Sequence, residues 1–131
     1  EERDARHPTH ALRNVRRPIN PVRDLAGLVE LASLFRRERP EILHASSSKA
    51  GVLGRLAAAA TGVPIRFFTV HGWAFSAYSG LASPLYRVSD RLMAPLTTVT
   101  ICVSEAELAA GLEAGTCRAE RSVVIHKACA A

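Results

Sequence analysis

The fold is decided by the stretch HASSSKAGVLGR at residues 44–55. Two apolar residues, Ile42 and Leu43, precede it, and an alanine-rich run at 56–60 follows it. A short strand therefore passes through serines and a lysine directly into a helix. The free N–H groups at such a helix start, together with the helix dipole, favour a bound anion. In the alternative interpretation, the serines only cap the helix and the glycines only let it pack closely on a sheet.

Outward from this stretch, helical and strand patterns alternate. Asn20 and Pro21 begin a helix, because Asn is a favoured cap and Pro suits the first helical position. That helix ends before Pro40, and further helices are predicted at 50–61, 83–93 and 104–113. The predicted strands are 42–45, 65–70, 98–103 and 122–125, with a loop over 71–80. This order predicts an α/β fold, a Rossmann-like doubly wound parallel sheet.

Composition limits the class of protein. The chain has 131 residues, of which 48% are hydrophobic and 22% charged, which suits a single globular domain with its own core. No apolar run approaches the ~20 residues that span a bilayer. The three cysteines show no CxxC spacing, which disfavours a zinc site or a disulfide framework and favours a reducing cytoplasm.

Residues 1–19 form a basic N-terminal arm ahead of the domain at 20–131, and the net charge of the chain is +5. The arginines of this region are Arg3, Arg6, Arg13, Arg16 and Arg17, with Arg23 shortly after it. Such a cluster suits phosphate groups or anionic lipid. Nucleic acid is disfavoured, because aromatic side chains are only 5% of the residues. A solvated arm without a ligand is the other interpretation.

The carboxyl ends of the predicted strands mark a candidate ligand site. In open parallel sheets, ligands bind at the edge where these ends meet. Each of the four predicted strands would place a set of residues at that edge. In strand order, these sets are His44 with residues 46–49, residues 71–73, residues 104–105 and residues 126–127. We therefore expect one cationic, hydrogen-bonding edge that suits phosphate esters.

Four side chains near this edge are interpreted separately. His71 is a candidate donor to a phosphate or a sugar hydroxyl and a candidate proton shuttle, or else a structural hydrogen-bonding group. His44 is predicted to bond nearby backbone rather than to act in catalysis. Trp73, with Phe75, either lines an apolar acceptor groove or plugs the loop.

Five short motifs follow one another along the chain. They are RPEILH at 39–44, SSKAGVLGRLAA at 47–58, GVP at 62–64, TVHGWAF at 69–75 and CVSE at 102–105. In this order and spacing, over about residues 12–126, they resemble the N-terminal, acceptor-side domain of GT-B glycosyltransferases of family 4. The resemblance is closest to members that extend bacterial exopolysaccharide, capsule or lipid-linked oligosaccharide chains.

The resemblance implies a retaining transfer of a sugar from a nucleotide sugar to an acceptor hydroxyl. His71 would be the catalytic residue, and no metal or cofactor is implied beyond the nucleotide sugar, which a second domain mainly binds. The implied substrate- and phosphate-binding residues are Ser47, Ser48, Lys49, Gly51, Gly72, Ser104 and Glu105. The implied partners are the nucleotide sugar and a glycan or lipid-linked acceptor, without nucleic acid. The implied location is the cytoplasm, with peripheral membrane contact through the basic arm.

The chain also departs from the family pattern. The glycine-rich first loop of the family has no counterpart before Glu1, and the paired glutamates of the donor domain have none before Ala131. Asp90 stands where members often carry a glutamate, and the shorter carboxylate is expected to weaken its contact. We expect a piece of an enzyme that is inactive alone and needs a donor domain, in cis or in trans. The alternative is a non-catalytic remnant that binds a phosphorylated or lipid-linked glycan or a partner protein.

Overall fold

A computed structural model of the chain describes residues 10–16, 19–46 and 48–126. Helices and strands alternate along it, and two single-turn 3₁₀ helices stand before the last two strands. The elements are α1 (Pro21–Glu38), β1 (Ile42–Ala45), α2 (Ser48–Thr61), β2 (Ile65–Val70), α3 (Ala74–Ala77), α4 (Ala82–Met93), β3 (Val99–Cys102), α5 (Glu105–Ala114) and β4 (Ser122–Val124).

The four strands form one parallel sheet in the order β1-β2-β3-β4. Ala45 lies opposite Phe68, and Val70 lies opposite Cys102, which in turn lies opposite Val124. The predicted α/β class and the Rossmann-like parallel sheet are confirmed. Among these four strands the order follows the chain, so the reversal of strand order typical of a doubly wound sheet does not lie between them.

The main core lies between the sheet and the helices α3 and α5. Phe68 and Val70 of β2 are buried there together with Trp73 and Phe75. Gly51 of α2 faces this cluster so closely that a Cβ atom would lie 2.5 Å from the Phe68 ring. The close-packing interpretation of this glycine therefore agrees with its position. Helix α1 packs in turn on α2.

The predicted loop over 71–80 contains a short helix, α3, that the sequence analysis missed. The helical pattern of α3 in the sequence is weak, because the helix has only four residues. Tertiary packing holds it: Phe75 is buried, and its ring stacks on Trp73 with 5.6 Å between centroids. Of the two interpretations of these aromatic side chains, plugging the loop agrees with the structure.

The helix ends follow the local chemistry of the sequence. The Asn20 side chain accepts from the N–H of Arg23 at 3.1 Å, and Pro21 follows as the first residue of α1. The Ser104 side chain caps α5 by accepting from the N–H of Glu107 at 3.2 Å. These caps satisfy N–H groups that have no partner inside their helices.

A buried ion pair joins α2 to α4. Arg55 Nη2 lies 3.1 Å from Asp90 Oδ1, and Arg55 also donates to Thr97 Oγ1 at 3.0 Å and to the Gly51 carbonyl at 2.9 Å. Its guanidinium lies 3.8 Å from the centroid of the Phe68 ring. Burial lowers the pKa of Arg55 and raises that of Asp90, whereas their mutual attraction opposes both shifts. The shorter carboxylate noted in the sequence therefore does reach a partner, Arg55.

Candidate functional site

A cavity of about 460 Å³ opens where β1 and β2 end. Five residues from the predicted ligand edge line it: Ser46, Ser48, Lys49, His71 and Gly72. They meet because β1 and β2 are parallel neighbours, so the segments that follow them leave the sheet at the same edge. The structure thus brings together side chains more than twenty residues apart in the chain.

The first turn of α2 forms one wall of the cavity. Ser48, Lys49 and Ala50 all line it, and α2 has no acidic residue in its first turn. The N–H groups of a first helical turn lack helical acceptors, and the dipole gives that end a partial positive charge. This wall can therefore donate to an anion. Ser47, which was also predicted to bind phosphate, lies outside the described residues.

Lys49 forms an ion pair with Asp24 of α1 across the cavity wall. Both side chains are largely buried, with 14% of Lys49 and 21% of Asp24 exposed. The second carboxylate oxygen of Asp24 accepts from the N–H of Asn20 at 3.2 Å. The carboxylate offsets part of the ammonium charge that the sequence analysis assigned to phosphate binding. That analysis missed Asp24, although an acidic residue in a first helical turn is a recognisable signal.

The end of the arm supplies another wall. Val15 and Arg16 line the cavity, and the N–H groups of Arg13 and Asn14 donate to the Glu30 carboxylate at 2.9 and 3.1 Å. These bonds lower the pKa of Glu30 below its ordinary value, that from Arg13 having the largest effect. Residues 13–16 therefore pack on α1 instead of extending into solvent. Arg3, Arg6 and Arg17 lie outside the described residues.

Two tyrosines, missed by the sequence analysis, also line the cavity. The rings of Tyr78 and Tyr86 stack with 5.0 Å between centroids and 22° between planes. Burial raises the pKa of Tyr86, and Tyr78 and Asp24 raise it further. Helical spacing gives a partial signal for Tyr86, because it falls on the same side of α4 as the buried residues Asp90 and Met93. Tyr78 carries no such pattern.

His71 and Gly72 follow β2 directly, and both are exposed at the cavity. Gly72 has a φ of +144°, a conformation that a side chain would strain. An accessible imidazole beside the first turn of a helix can donate a hydrogen bond to a phosphate oxygen. His44 lies outside this group, since its Nε2 is 2.6 Å from Thr69 Oγ1 on β2. It bonds a hydroxyl rather than the backbone group that the sequence analysis expected.

Three predicted site residues lie elsewhere. The backbone of Gly51 packs against the Phe68 ring, and Gly51 does not line the cavity. Ser104 and Glu105 follow β3 at the same sheet edge, but neither lines the cavity, and the Ser104 hydroxyl caps its own helix. The cavity is therefore built from the ends of two strands, not four.

The lining defines what the cavity can do chemically. Lys49 and Arg16 supply positive charge, the first turn of α2 supplies N–H groups, and His71 supplies an exchangeable proton. This set suits an anionic ester such as a phosphate or diphosphate. Within the described ranges, no group of three or more His, Cys, Asp or Glu side chains is placed to hold a metal ion. None of the described helices has both the length and the apolar character needed to cross a bilayer.

The parallel α/β sheet, with an anion-suited cavity at the carboxyl ends of two of its strands, defines a Rossmann-like domain. Residues 1–128 match the protein family described as glycosyl transferase 4-like domain, and the chain belongs to that family. The predicted membership among family 4 glycosyltransferases is therefore confirmed.

Two curated relatives are similar to this chain. Over 88 residues, 66% of the chain, it is 39% identical to the UDP-Gal:alpha-D-GlcNAc-diphosphoundecaprenol alpha-1,3-galactosyltransferase of Escherichia coli. Over 91 residues, 70% of the chain, it is 31% identical to the capsular polysaccharide biosynthesis glycosyltransferase CapM of Staphylococcus aureus. The matched segments span only 23% and 24% of those two proteins.

Proposed function

We propose that this chain is the acceptor-side domain of a retaining glycosyltransferase. The enzyme would move a sugar from a nucleotide sugar to a glycan linked through diphosphate to a polyprenyl lipid. The chain would bind the acceptor and be inactive without a donor domain, in cis or in trans. One observation carries the proposal: Lys49 and His71 line one cavity together with the first turn of α2.

The chemistry of the lining supports an acceptor diphosphate as the occupant. A diphosphate ester carries several anionic oxygens, which match N–H donors, the Lys49 ammonium and the Arg16 guanidinium. The similarity to a transferase named for a diphosphoundecaprenol acceptor points to the same ligand class. The stacked Tyr78 and Tyr86 rings give the cavity an apolar side, on which a sugar ring could lie.

Each cavity residue would then have a distinct role. Lys49 and the α2 N-terminus would hold the phosphates, and Gly72 would let them approach the backbone. His71 would be the catalytic residue, placed to donate to the transferred sugar or its leaving diphosphate. Ser104 and Glu105, at the end of β3, would line the adjoining part of the cleft. The transfer would take place at the cytoplasmic side of a membrane with the protein bound peripherally, in part through the arm.

A binding experiment on the chain itself tests the acceptor assignment. Geranyl diphosphate serves as a short prenyl diphosphate probe and uridine diphosphate as the donor-side probe, with dissociation constants measured by calorimetry. We expect geranyl diphosphate to bind more tightly, because the donor nucleotide is assigned to another domain. Tighter binding of uridine diphosphate would overturn the assignment.

Two variants locate the binding. Lys49→Ala removes the ammonium from the cavity and should weaken binding of geranyl diphosphate about tenfold, the usual scale for one charge-assisted contact. Arg118→Ala, a change of the same kind at an exposed residue outside the cavity, is the matched control. If the parent, Lys49→Ala and Arg118→Ala proteins bound geranyl diphosphate with equal affinity, the stretch around Lys49 would have only a structural role.

A further inference from the structure

The thiols of Cys102 and Cys117 form a hydrogen bond with each other inside the protein. Cys102 is the last residue of β3, and Cys117 follows the end of α5. Within the described ranges, both cysteines are free thiols. A hydrogen bond between two thiols places their sulfur atoms next to each other. The fold therefore joins two sulfur atoms from segments on either side of α5.

The packing around Cys117 holds its thiol in place. A Cβ atom on Gly111 of α5 would lie 2.7 Å from Cys117 Sγ and 2.6 Å from the Trp73 ring. The thiol and the indole therefore approach the same backbone position of α5. Trp73 is itself fixed, because its Nε1 donates to the Glu107 carbonyl at 2.8 Å. This close packing leaves the Cys117 side chain little room to turn away from Cys102.

The two cysteines differ in their distance from solvent. Both are buried, with 0% of Cys102 and 5% of Cys117 exposed. Cys117 is followed directly by an exposed segment, residues 118–121, whereas Cys102 lies within the sheet. A small oxidant that enters from solvent therefore meets Cys117 before it meets Cys102.

The two thiols also differ in acidity. The hydrogen bond from Cys102 lowers the pKa of Cys117, burial opposes this shift, and a hydrogen bond with the Ser122 side chain adds to it. The same thiol–thiol bond, together with burial, raises the pKa of Cys102. The thiolate is the form of cysteine that attacks oxidants, so Cys117 is the more reactive member of the pair.

We propose that Cys117 is a site of oxidation by small hydroperoxides, and that Cys102 converts the oxidised product into a reversible disulfide. In the first step, the Cys117 sulfur takes one oxygen atom from hydrogen peroxide, becomes a sulfenic acid, and water is released. In the second step, the Cys102 sulfur attacks the sulfenic sulfur, the S–S bond forms, and the hydroxyl group leaves as water with the Cys102 proton. Together, the two thiols lose two electrons and two protons, and the peroxide becomes two molecules of water.

The bridge would fasten the two ends of α5. It closes the chain around this helix, because Cys102 precedes α5 and Cys117 follows it. Such a closure restricts the unfolded chain and so stabilises the folded domain. Formation of the S–S bond also draws the sulfur atoms closer than a hydrogen bond does, which shifts Cys117 relative to the Trp73 ring. Trp73 is the single tryptophan of the chain, so its fluorescence reports this step.

Peptide mapping by mass spectrometry tests the proposal on the unaltered chain. The protein is treated with a few equivalents of hydrogen peroxide, the remaining thiols are alkylated, and the protein is digested. We expect two peptides joined through Cys102 and Cys117, which dithiothreitol separates by thiol–disulfide exchange. A bridge that includes Cys129, a sulfinic acid on Cys117 without a bridge, or two unreacted thiols would overturn the proposal.

Two variants connect the bridge to the stability of the domain. Cys117→Ser removes the reactive thiol, and Cys129→Ser is the matched control, because it removes a thiol that has no part in the proposal. Peroxide should raise the Tm of the parent and of the control by about 10 °C and change their Trp73 fluorescence, and dithiothreitol should reverse both effects. Neither quantity should change in Cys117→Ser protein, whose fold circular dichroism verifies.

The same variants can contradict the proposal. Equal responses to peroxide by all three proteins would assign the effect to another group. A bridge that forms and leaves the Tm unchanged would refute the fastening of α5. None of these measurements involves a ligand of the cavity, so their outcome is independent of the proposed function.

Discussion

Asp24 of α1 and Lys49 of α2 form an ion pair at the wall of the cavity, joining the first turns of two neighbouring helices. The pair does two things at once. It ties α1 to the end of α2 that faces the ligand edge, and it places a negative charge beside the ammonium assigned to an acceptor phosphate. The cavity is therefore less positive than the sequence alone suggests.

The first prediction follows from this pair. Asp24→Asn removes the negative charge but keeps a side-chain oxygen that can accept from the Asn20 N–H. We expect the variant to bind pyrophosphate about three to ten times more tightly, the effect of one charge a few ångströms away in a partly screened site. Calorimetric titration measures it. Glu38→Gln, at the other end of the same helix and outside the cavity lining, should leave the affinity unchanged, and weaker binding by Asp24→Asn would contradict this expectation.

The second prediction concerns His71. In a preparation that joins this chain with a donor domain and transfers sugar, His71→Ala should lower kcat by about a hundredfold or more, the usual scale for a lost catalytic proton donor. The fold should persist, because the side chain is exposed. His44→Ala is the control, since His44 contacts Thr69 and not the cavity. Turnover equal to that of the parent would remove His71 from the mechanism.

The third prediction uses two glycines of α2. A Cβ at position 51 would lie 2.5 Å from a ring carbon of Phe68, whereas the nearest atom to a Cβ at position 54 lies 3.6 Å away. The Phe68 ring is held between Arg55 and the core, so it cannot move aside cheaply. Gly51→Ala should therefore reduce the free energy of unfolding by about 1–3 kcal/mol.

Gly54→Ala provides the comparison for that measurement. Alanine fits there, and its higher helix propensity should raise the free energy of unfolding by up to about 1 kcal/mol. Urea unfolding curves at equilibrium determine both values. If the two variants changed the stability equally, close contact between α2 and β2 would not be the reason for a glycine at position 51.

The fourth prediction is a pH dependence of the arm. Hydrogen bonds from Arg13 and Asn14 lower the pKa of Glu30 in the folded protein. Their contribution is therefore fully present above the ordinary glutamate pKa of about 4.3 and is lost as the pH falls through the lower folded value. NMR signals of the Arg13 and Asn14 amide protons should shift together in that range. In Glu30→Gln protein the same signals should not titrate, and an unchanged titration there would assign it to another group.

Much of the fold could be predicted because it depends on local pattern. The predicted strand boundaries differ from those in the structure by at most one residue. This agreement is expected, because apolar runs and the Gly and Pro residues that end them are local features of the sequence. The juxtaposition of Lys49 and His71 was also predictable, because neighbouring parallel strands end at one edge. The short helix α3 was missed, because packing of Phe75 rather than helical pattern holds it.

The remaining parts of the site depend on contacts distant in sequence. The sequence around Asp24 does not predict its ion pair with Lys49. The sequence around Tyr78 does not predict that its ring stacks on that of Tyr86. Arg16 reaches the cavity only because Glu30 holds the preceding residues on α1. Such pairings depend on how helices pack, and a side-chain pattern along one segment does not carry that information.

The strand order has a consequence for how the chain acquires its structure during synthesis. Each strand after β1 pairs with the one immediately before it in the sequence, so its partner has already left the ribosome when it emerges. The sheet can therefore grow one strand at a time, and each closure spans at most two α-helices and the turns beside them. Among the four described strands, none has to wait for a strand later in the sequence than its immediate neighbour before its hydrogen bonds can form.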